Sequence, residues 1–595
     1  MRHNASVPLW LAAVVLAALV MLPRLASPQF GLLDDGFMLR AGSQIVGNPS
    51  TVLHLMPDTG RFFPAYWLTR AAVFGLVGPR PLAFFVVNVL VLSVLLAVLG
   101  RVIVLGGGGW PHVCVALILF AVSGPAVESF YTLSKAEPLQ LMWIGVSLLA
   151  TMRASLSTSR LVRAGLIAVG FVTLILLYAT KETSVVMIPI SLGWLALEAR
   201  RDRACGRFAG TFALLNVAAA VVFAGLRWHS APLPLGQGWY TRAYSVDMAT
   251  IGMALFRVSA WLIRDFAFLL PLLAVGCWLL MGGRVASRRL LISAGLWMAG
   301  WLIVYLPWPV TFEYFLLPFA FGCAAWGGAV VGEMWDLACD GSSTGRLVAW
   351  SVLIATTVLW GLTCVNAIAD ARIQLSVDRA NADLVEFLAG VPTHSRIVIN
   401  VAYANEYVYE LPLHLADVKQ RPDLSVTYGA SALSAPTPAA TVFVVTPEIA
   451  HQPAPTVRIA PHEPPAQSIA GSPGSLGSRG ALVYRGHRQT RVLELGVHRM
   501  LCRLKTRPFF DATYCPTDRG IVFWRMFSYG WQVHQLDLRR QTQGPVRLQT
   551  RTTPDLVVRA DRCPAPTGRV SVVFLTFSQP RTECIAAASN RRGMS

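Results

Sequence analysis

The sequence predicts a polytopic α-helical membrane protein carrying a C-terminal α/β domain, and three observations predict it. Of the 595 residues, 54% are hydrophobic and only 14% are charged, where a soluble chain carries roughly a quarter charged residues. Mean hydropathy is +0.54. The apolar residues are also unevenly placed. Up to about residue 371 they recur in long runs, each roughly 17–25 residues, the length of a bilayer-crossing helix. Beyond that point the chain turns polar and rich in Arg and Pro. Residues 1–371 are therefore expected to form a transmembrane domain and residues 372–595 a soluble one.

About eleven segments have spanning character, at 8–25, 82–104, 110–127, 137–152, 161–179, 184–199, 207–227, 266–282, 290–307, 313–332 and 347–367. The first resembles a signal peptide, but Leu25-Ala26-Ser27-Pro28 is a poor cleavage site, so it reads as an anchor. With the N-terminus cytoplasmic, the cytoplasmic turns contain Arg101, then Arg153, Arg160 and Arg163, then Arg200, Arg201, Arg203 and Arg207, then Arg284, Arg288 and Arg289, and finally Arg346. All five turns obey the positive-inside rule, and an odd number of spans puts residues 372–595 outside the cytoplasm. The expected location is a cell membrane, taken to be a bacterial inner membrane, crossed many times.

Two outer loops are long, residues 26–81 and 228–265. Both mix aromatic and apolar residues with Arg, as in Phe62-Phe63-Pro64-Ala65-Tyr66-Trp67 and Met253-Ala254-Leu255-Phe256-Arg257, a composition suited to short interfacial helices. Reading residues 62–78 as a span would invert every later turn and break the charge rule. The glycine run 106–109 lacks a phosphate-loop context and reads as a turn.

The formal net charge is +19, carried by 46 Arg and four Lys. These charges are dispersed and many flank membrane segments, which argues against a nucleic-acid partner. Two of the few Lys, Lys135 and Lys181, fall at helix boundaries close to a Glu.

The Gly31-Leu32-Leu33-Asp34-Asp35-Gly36 segment directly follows the first span. Asp-Asp-Gly is ordinary turn composition, yet two adjacent carboxylates there make chemical sense if they face a water-filled cavity. On the expected topology Asp34 and Asp35, Arg40, Arg61, Glu128, Lys135 with Glu137, Lys181 with Glu182, Arg242 and Glu313 all fall on the outer face. An ionisable group inside a bilayer costs on the order of 2.5–3.5 kcal/mol on insertion scales, less where a long side chain snorkels. Each group alone reads equally as an interfacial anchor or a local ion pair. Together they can hold a phosphate-bearing substrate against a carboxylate, which is the chemistry of moving a sugar from a lipid phosphate.

The order of short motifs resembles the membrane-embedded GT-C glycosyltransferases, especially their protein O-mannosyltransferase and tetratricopeptide-linked mannosyltransferase branch. After the Asp-Asp loop come Gly60-Arg61-Phe62-Phe63-Pro64, a segment ending in Asn88, Gly124-Pro125-Ala126-Val127-Glu128-Ser129, Ser134-Lys135-Ala136-Glu137, Thr180-Lys181-Glu182-Thr183 and Glu313-Tyr314-Phe315-Leu316-Leu317-Pro318. The resemblance covers roughly residues 30–320. Three features depart from it: two Phe separate Arg61 from Pro64, Lys135 stands where relatives often have Arg, and no tetratricopeptide repeat follows.

The resemblance implies a polyprenyl-phosphate sugar donor, a glycan, lipid or protein acceptor reached from the outer face, and inversion at the anomeric carbon. It gives the base or acceptor-positioning role to Asp34 or Asp35, and phosphate contact to Arg61, Lys181 and Lys135. Glu182 is expected to orient Lys181, with Glu137, Glu128, Arg40 and Glu313 in support. Some relatives use a divalent metal at the acidic loop and others do not, so a metal at Asp34 and Asp35 stays open. The competing readings are a lipid-linked glycan transporter, a non-catalytic relative, and a ligase-like transferase of another fold using a loop histidine such as His229.

In the C-terminal part, residues 379–389 predict a helix, and the stretches 395–401, 441–445 and 569–574 predict strands. Residues 430–480 are rich in Pro, Ala, Ser and Gly and predict a long loop. Cys502, Cys515, Cys563 and Cys584 form an even set that an oxidising compartment would pair. Pairing in sequence order, 502 with 515 and 563 with 584, closes the smallest loops. Aromatic and basic residues at 523–534 read as core packing ahead of glycan contact.

Overall fold

A computed structural model describes residues 6–55, 61–198, 203–230, 244–282, 287–308, 312–399, 406–428 and 441–449, and further strands beyond them. Fifteen helices come first: α1 (Ser6–Ala26), α2 (Asp35–Gly47), α3 (Pro64–Val77), α4 (Pro81–Leu105), α5 (Trp110–Ala121), α6 (Gly124–Tyr131), α7 (Glu137–Leu156), α8 (Arg160–Tyr178), α9 (Met187–Glu198), α10 (Arg203–Ser230), α11 (Met248–Phe266), α12 (Leu269–Gly282), α13 (Arg288–Ile303), α14 (Leu317–Asp340) and α15 (Ser343–Ala389). Proline stands in the first turn of α3, α4, α5, α6, α7 and α14, where its missing N–H has no helical partner to lose.

The eleven expected spans overlap helices, but 110–127 is divided between α5 and α6, and 266–282 crosses the break between α11 and α12. Among the described residues, seven helices are long and apolar enough to cross a membrane, and nine spans result if each of two bent pairs is one. The pairs are α5 with α6, bent by 56°, and α11 with α12, bent by 93°. α9 and α13, at 12 and 16 residues, are shorter than that criterion. Each expected outer loop contains helix, α2 and α3 in the first and most of α11 in the second.

α14 is the central helix, with 94% of its apolar window buried, against 28% for α1 and α8. Small residues let its neighbours come close: a Cβ added at Gly328 would lie 2.6 Å from the His112 carbonyl of α5. Such small-residue seams are the usual packing device where lipid removes the hydrophobic drive between helices. The lipid-length helices at the rim keep their outward apolar faces exposed, as Leu11, Leu161, Leu214 and Leu347 show.

A second compact unit begins at Asp383. It contains α16 (Glu406–Leu413) and the strands β1 (Arg396–Ile399), β2 (Ser425–Tyr428), β3 (Thr441–Ile449), β4 (Val457–Ala460), β5 (Gly480–Leu495), β6 (Val522–Asp537), β7 (Arg547–Thr550), β8 (Arg569–Thr576) and β9 (Gln579–Ala586), β5 and β6 lying partly in it. The main sheet has the order β2-β1-β3-β6-β5. β1 is parallel to β2 and β3, while β6 runs antiparallel to β3. β1 is buried throughout, as a parallel strand covered on both faces requires. Phe527 to Trp531 on β6 are buried without a break, as is Val533, so Phe527, Tyr529 and Trp531 of the aromatic run pack in the core.

The expected helix at 379–389 is the end of α15, which runs unbroken through the boundary expected between residues 371 and 372. Most of the expected loop at 430–480, Arg242, Cys502, Cys515, Cys563 and the side chain of Cys584 lie outside the described residues.

Candidate active site at the Asp-Asp loop

Five segments meet around one cavity of about 110 Å³, lined by Asp34, Phe37, Arg61, Phe63, Tyr66, Trp67, Ser134, Lys135, Ala136, Glu137, Lys181, Tyr314 and Phe315. Local hydrogen bonds bring these distant segments together. The Ala65 N–H donates to the Ala179 carbonyl, 2.8 Å away, so the chain leaving Arg61 runs against the chain entering Lys181. Gln140 Nε2 donates to Thr183 Oγ1 at 3.1 Å and to Ser184 Oγ at 2.9 Å. Gln140 follows Glu137 by one helical turn and shares its face of α7. Asn88 Nδ2 donates to the Phe130 and Thr132 carbonyls, at 3.0 and 3.2 Å, which fixes the approach to Lys135.

The two acidic residues of the loop have different surroundings. Asp34 is exposed and lines the cavity. Its backbone is left-handed, φ 63° and ψ −6°, and although it is the residue before α2 its side chain makes no capping hydrogen bond. Asp is a favoured helix cap, so a left-handed Asp that forgoes the cap is a costly local choice of the kind concentrated at functional sites. Asp35 is buried, does not line the cavity, and accepts the Gly31 N–H on Oδ2 at 2.8 Å. Burial raises its pKa to about 7, with the Gly31 hydrogen bond working the other way. The expectation that both carboxylates face the cavity is corrected to Asp34 alone, because the turn that exposes one side chain turns the next one inward.

The three candidate phosphate-binding cations all line the cavity, each over an aromatic ring. Arg61 lies 4.3 Å from the Phe63 centroid, Lys135 4.3 Å from Tyr314, and Lys181 4.4 Å from Phe315. Their ion pairs differ from the expected ones. Lys181 Nζ donates to Glu137 Oε1, both side chains being buried. Glu182, expected to orient Lys181, instead accepts from Arg61 Nε at 3.3 Å. The extended backbone at Lys181, φ −162° and ψ 137°, sends adjacent side chains to opposite sides. Burial lowers the Lys181 pKa against the opposing pull of Glu137. Burial works against the Glu182 carboxylate, but Arg61, a backbone hydrogen bond and Lys181 together leave its pKa below the ordinary value. Lys135 has no carboxylate partner among the described residues.

Glu313 and Glu128 do not line the cavity. Glu313 precedes the cavity residues Tyr314 and Phe315, and its Oε2 accepts Arg264 Nη1 at 3.0 Å. Arg264 also bonds Asp265 at 3.1 Å and Asp370, and Glu128 faces the same carboxylates. This buried hub sits where α11 bends into α12. Arg40, on α2, is half-buried and likewise absent from the cavity wall, and His229 stands in the last turn of α10. Sequence reading missed Gln140, Arg264, Asp265 and Asp370, and named Asn88 only as the end of a motif. Polar residues inside apolar helices were the available signal.

Among the described residues, no group of three or more His, Cys, Asp and Glu is placed to hold a metal ion. Asp34 and Asp35 diverge and do not form a shared ligand pair, so the loop does not fit a metal held by both.

No family model and no curated protein matches the chain. Among solved structures it is similar to apo ArnT from Cupriavidus metallidurans, with a TM-score of 0.44 and 13% identity over 74% of this chain and 93% of that one. The same enzyme bound to undecaprenyl phosphate gives a TM-score of 0.43 and 12% identity, over 73% and 92% of the two chains. An oligosaccharyltransferase from Archaeoglobus fulgidus gives 0.39 and 11%, over 75% and 70%. All three scores lie below 0.5, so the function is read from this chain's own residues.

Proposed function

We propose that the chain is a membrane glycosyltransferase of the GT-C type, moving a sugar from a polyprenyl-phosphate donor to an acceptor on the extracytoplasmic face with inversion. One observation carries the reading: an exposed carboxylate, Asp34, shares a small cavity with Arg61, Lys135 and Lys181. In the proposed step Asp34 takes the proton of the acceptor hydroxyl as its oxygen attacks the anomeric carbon. The bond from that carbon to the phosphate oxygen breaks on the opposite face, and the polyprenyl phosphate departs with the electron pair. The cations stabilise the charge that develops on it. Lys135 is the foremost phosphate contact, since Arg61 and Lys181 already serve Glu182 and Glu137. The motif order supports the O-mannosyltransferase branch, and the run of Arg-bearing turns supports an extracytoplasmic site.

The test is to incubate the purified protein with polyprenyl-phosphate sugars and measure release of polyprenyl phosphate. Asp34→Asn keeps the side-chain volume but cannot accept the proton, so turnover should fall by ~10²–10⁴-fold. Near-normal turnover in that variant would remove Asp34 as the base, and no release by the native chain with any such donor would remove the reading itself.

A further inference from the structure

We propose that Asp378, in the C-terminal part of α15, is a positioning residue that holds Asp34 in its left-handed, cavity-facing conformation by way of Arg24 and the Gly31–Asp35 turn. The proposal rests on Asp34 being the base, but its structural half can be tested separately.

Two adjacent residues of α15 hold the chain between α1 and α2. Asp378 Oδ2 accepts Arg24 Nη2 at 2.6 Å, and Arg379 Nε donates to Ser27 Oγ at 2.7 Å. Arg24 Nη2 also donates to the Gln29 carbonyl at 3.1 Å, and its guanidinium lies 4.2 Å from the Phe85 centroid. The other Asp378 oxygen accepts Gln374 Nε2 at 3.0 Å, so the carboxylate is held from both sides. The next anchor is Gly31. A Cβ there would lie 2.9 Å from Asp378 Oδ1, so the backbone passes directly against this carboxylate. The Gly31 N–H then donates to Asp35 Oδ2. Asp34 is therefore strung between two fixed points, Gly31 and Asp35.

Asp35 Oδ1 is buried without a hydrogen-bond partner, which makes the loop sensitive to the charge balance beside it. The charged groups facing Asp35 are Arg24 from α1, Asp34 on its own turn and Asp378 from α15. Replacing Asp378 by Asn would strand Arg24, which is only 1% exposed. The Asp35 carboxylate is another acid that Arg24 acts on electrostatically. Arg24 would draw Asp35 away from the Gly31 N–H, and the left-handed residue between them would relax to a cheaper conformation.

The experiment uses the full chain in lipid nanodiscs, with Asp378→Asn and Gln374→Ala. Amide exchange of the 27–36 peptide, polyprenyl-phosphate binding and steady-state turnover are measured on each. For Asp378→Asn, exchange in that peptide should rise while peptides of α4 stay protected. Turnover number should fall by ~10–10²-fold, as for a misplaced reacting group, with KM for the lipid donor little changed. Gln374→Ala loosens the same carboxylate without stranding Arg24 and should show a weaker form of the same pattern, which keeps the proposal testable if Asp378→Asn does not fold. Unchanged exchange, faster exchange with full turnover, or a loss confined to polyprenyl-phosphate binding would each overturn it. If the native chain neither binds polyprenyl phosphate nor turns over, the glycosyltransferase reading fails, and the exchange measurement still decides whether Asp378 holds the loop.

Discussion

Lys181 and Glu137 form a buried ion pair across 44 residues of sequence, while Glu182, next to Lys181 in the chain, serves Arg61 instead. This exchange of partners sets how substitutions around the cavity should behave.

Lys181→Met leaves the Glu137 carboxylate buried and uncompensated, and breaking such a pair commonly costs ~3–5 kcal/mol. Adding Glu137→Gln should restore most of the melting temperature, whereas adding Glu182→Gln should not. If donor turnover also recovers in the Lys181→Met, Glu137→Gln double variant, Lys181 serves structure and not the phosphate.

Lys135→Met should separate binding from stability in the opposite direction. No described carboxylate depends on Lys135, so thermal unfolding should change little. A lost charge-assisted hydrogen bond is worth ~1.5–3 kcal/mol, which corresponds to roughly 10–100-fold weaker binding of polyprenyl phosphate. Titration of the lipid phosphate against both proteins reads this directly, and equal affinities would exclude Lys135 from the donor site.

Asp35 should leave a mark on the pH dependence of stability. Its pKa of about 7 in the folded chain exceeds the ~4 expected when unfolded, so the folded state holds this proton more tightly. Its contribution is fullest below about pH 4 and is lost as pH rises towards 7. Asn cannot ionise, so Asp35→Asn should lose less stability than the native chain between about pH 5 and pH 8. Thermal melts at both values test this, and parallel losses in the two proteins would mean that Asp35 titrates normally.

Gly124 tests the Arg264 hub. A Cβ there would lie within 1.9 Å of Glu313 Oε1 and 3.0 Å of Asp265 Oδ1, and Arg264 bonds both carboxylates. Gly124→Ala should therefore destabilise by ~1–3 kcal/mol, the usual cost of overpacking. Gly165→Ala on α8, where a Cβ meets nothing within 4 Å, is the matched control and should be neutral or slightly stabilising. Equal melting temperatures for the two variants would show that the hub yields easily.

The helical membrane architecture was legible because lipid imposes a simple rule: apolar runs must be long and their backbone must bond to itself. That rule marks Val86 to Val104 as helix without reference to any partner. The strands at Ile397 and Val442 were legible for a related reason, as β-branched runs bounded by turns. Asp34, Arg61, Lys135 and Lys181 could be named because charge is conspicuous beside lipid.

Tertiary structure alone decided the pairings and orientations. Whether Glu137 or Glu182 meets Lys181, and whether Asp34 or Asp35 faces the cavity, depends on backbone angles and on segments up to hundreds of residues away. Arg24 illustrates the limit: it lies near the end of the first span, and its partner is Asp378, 354 residues further on. Ion pairing depends on distance in space and on shared burial, and neither is encoded in the local pattern that identifies a helix.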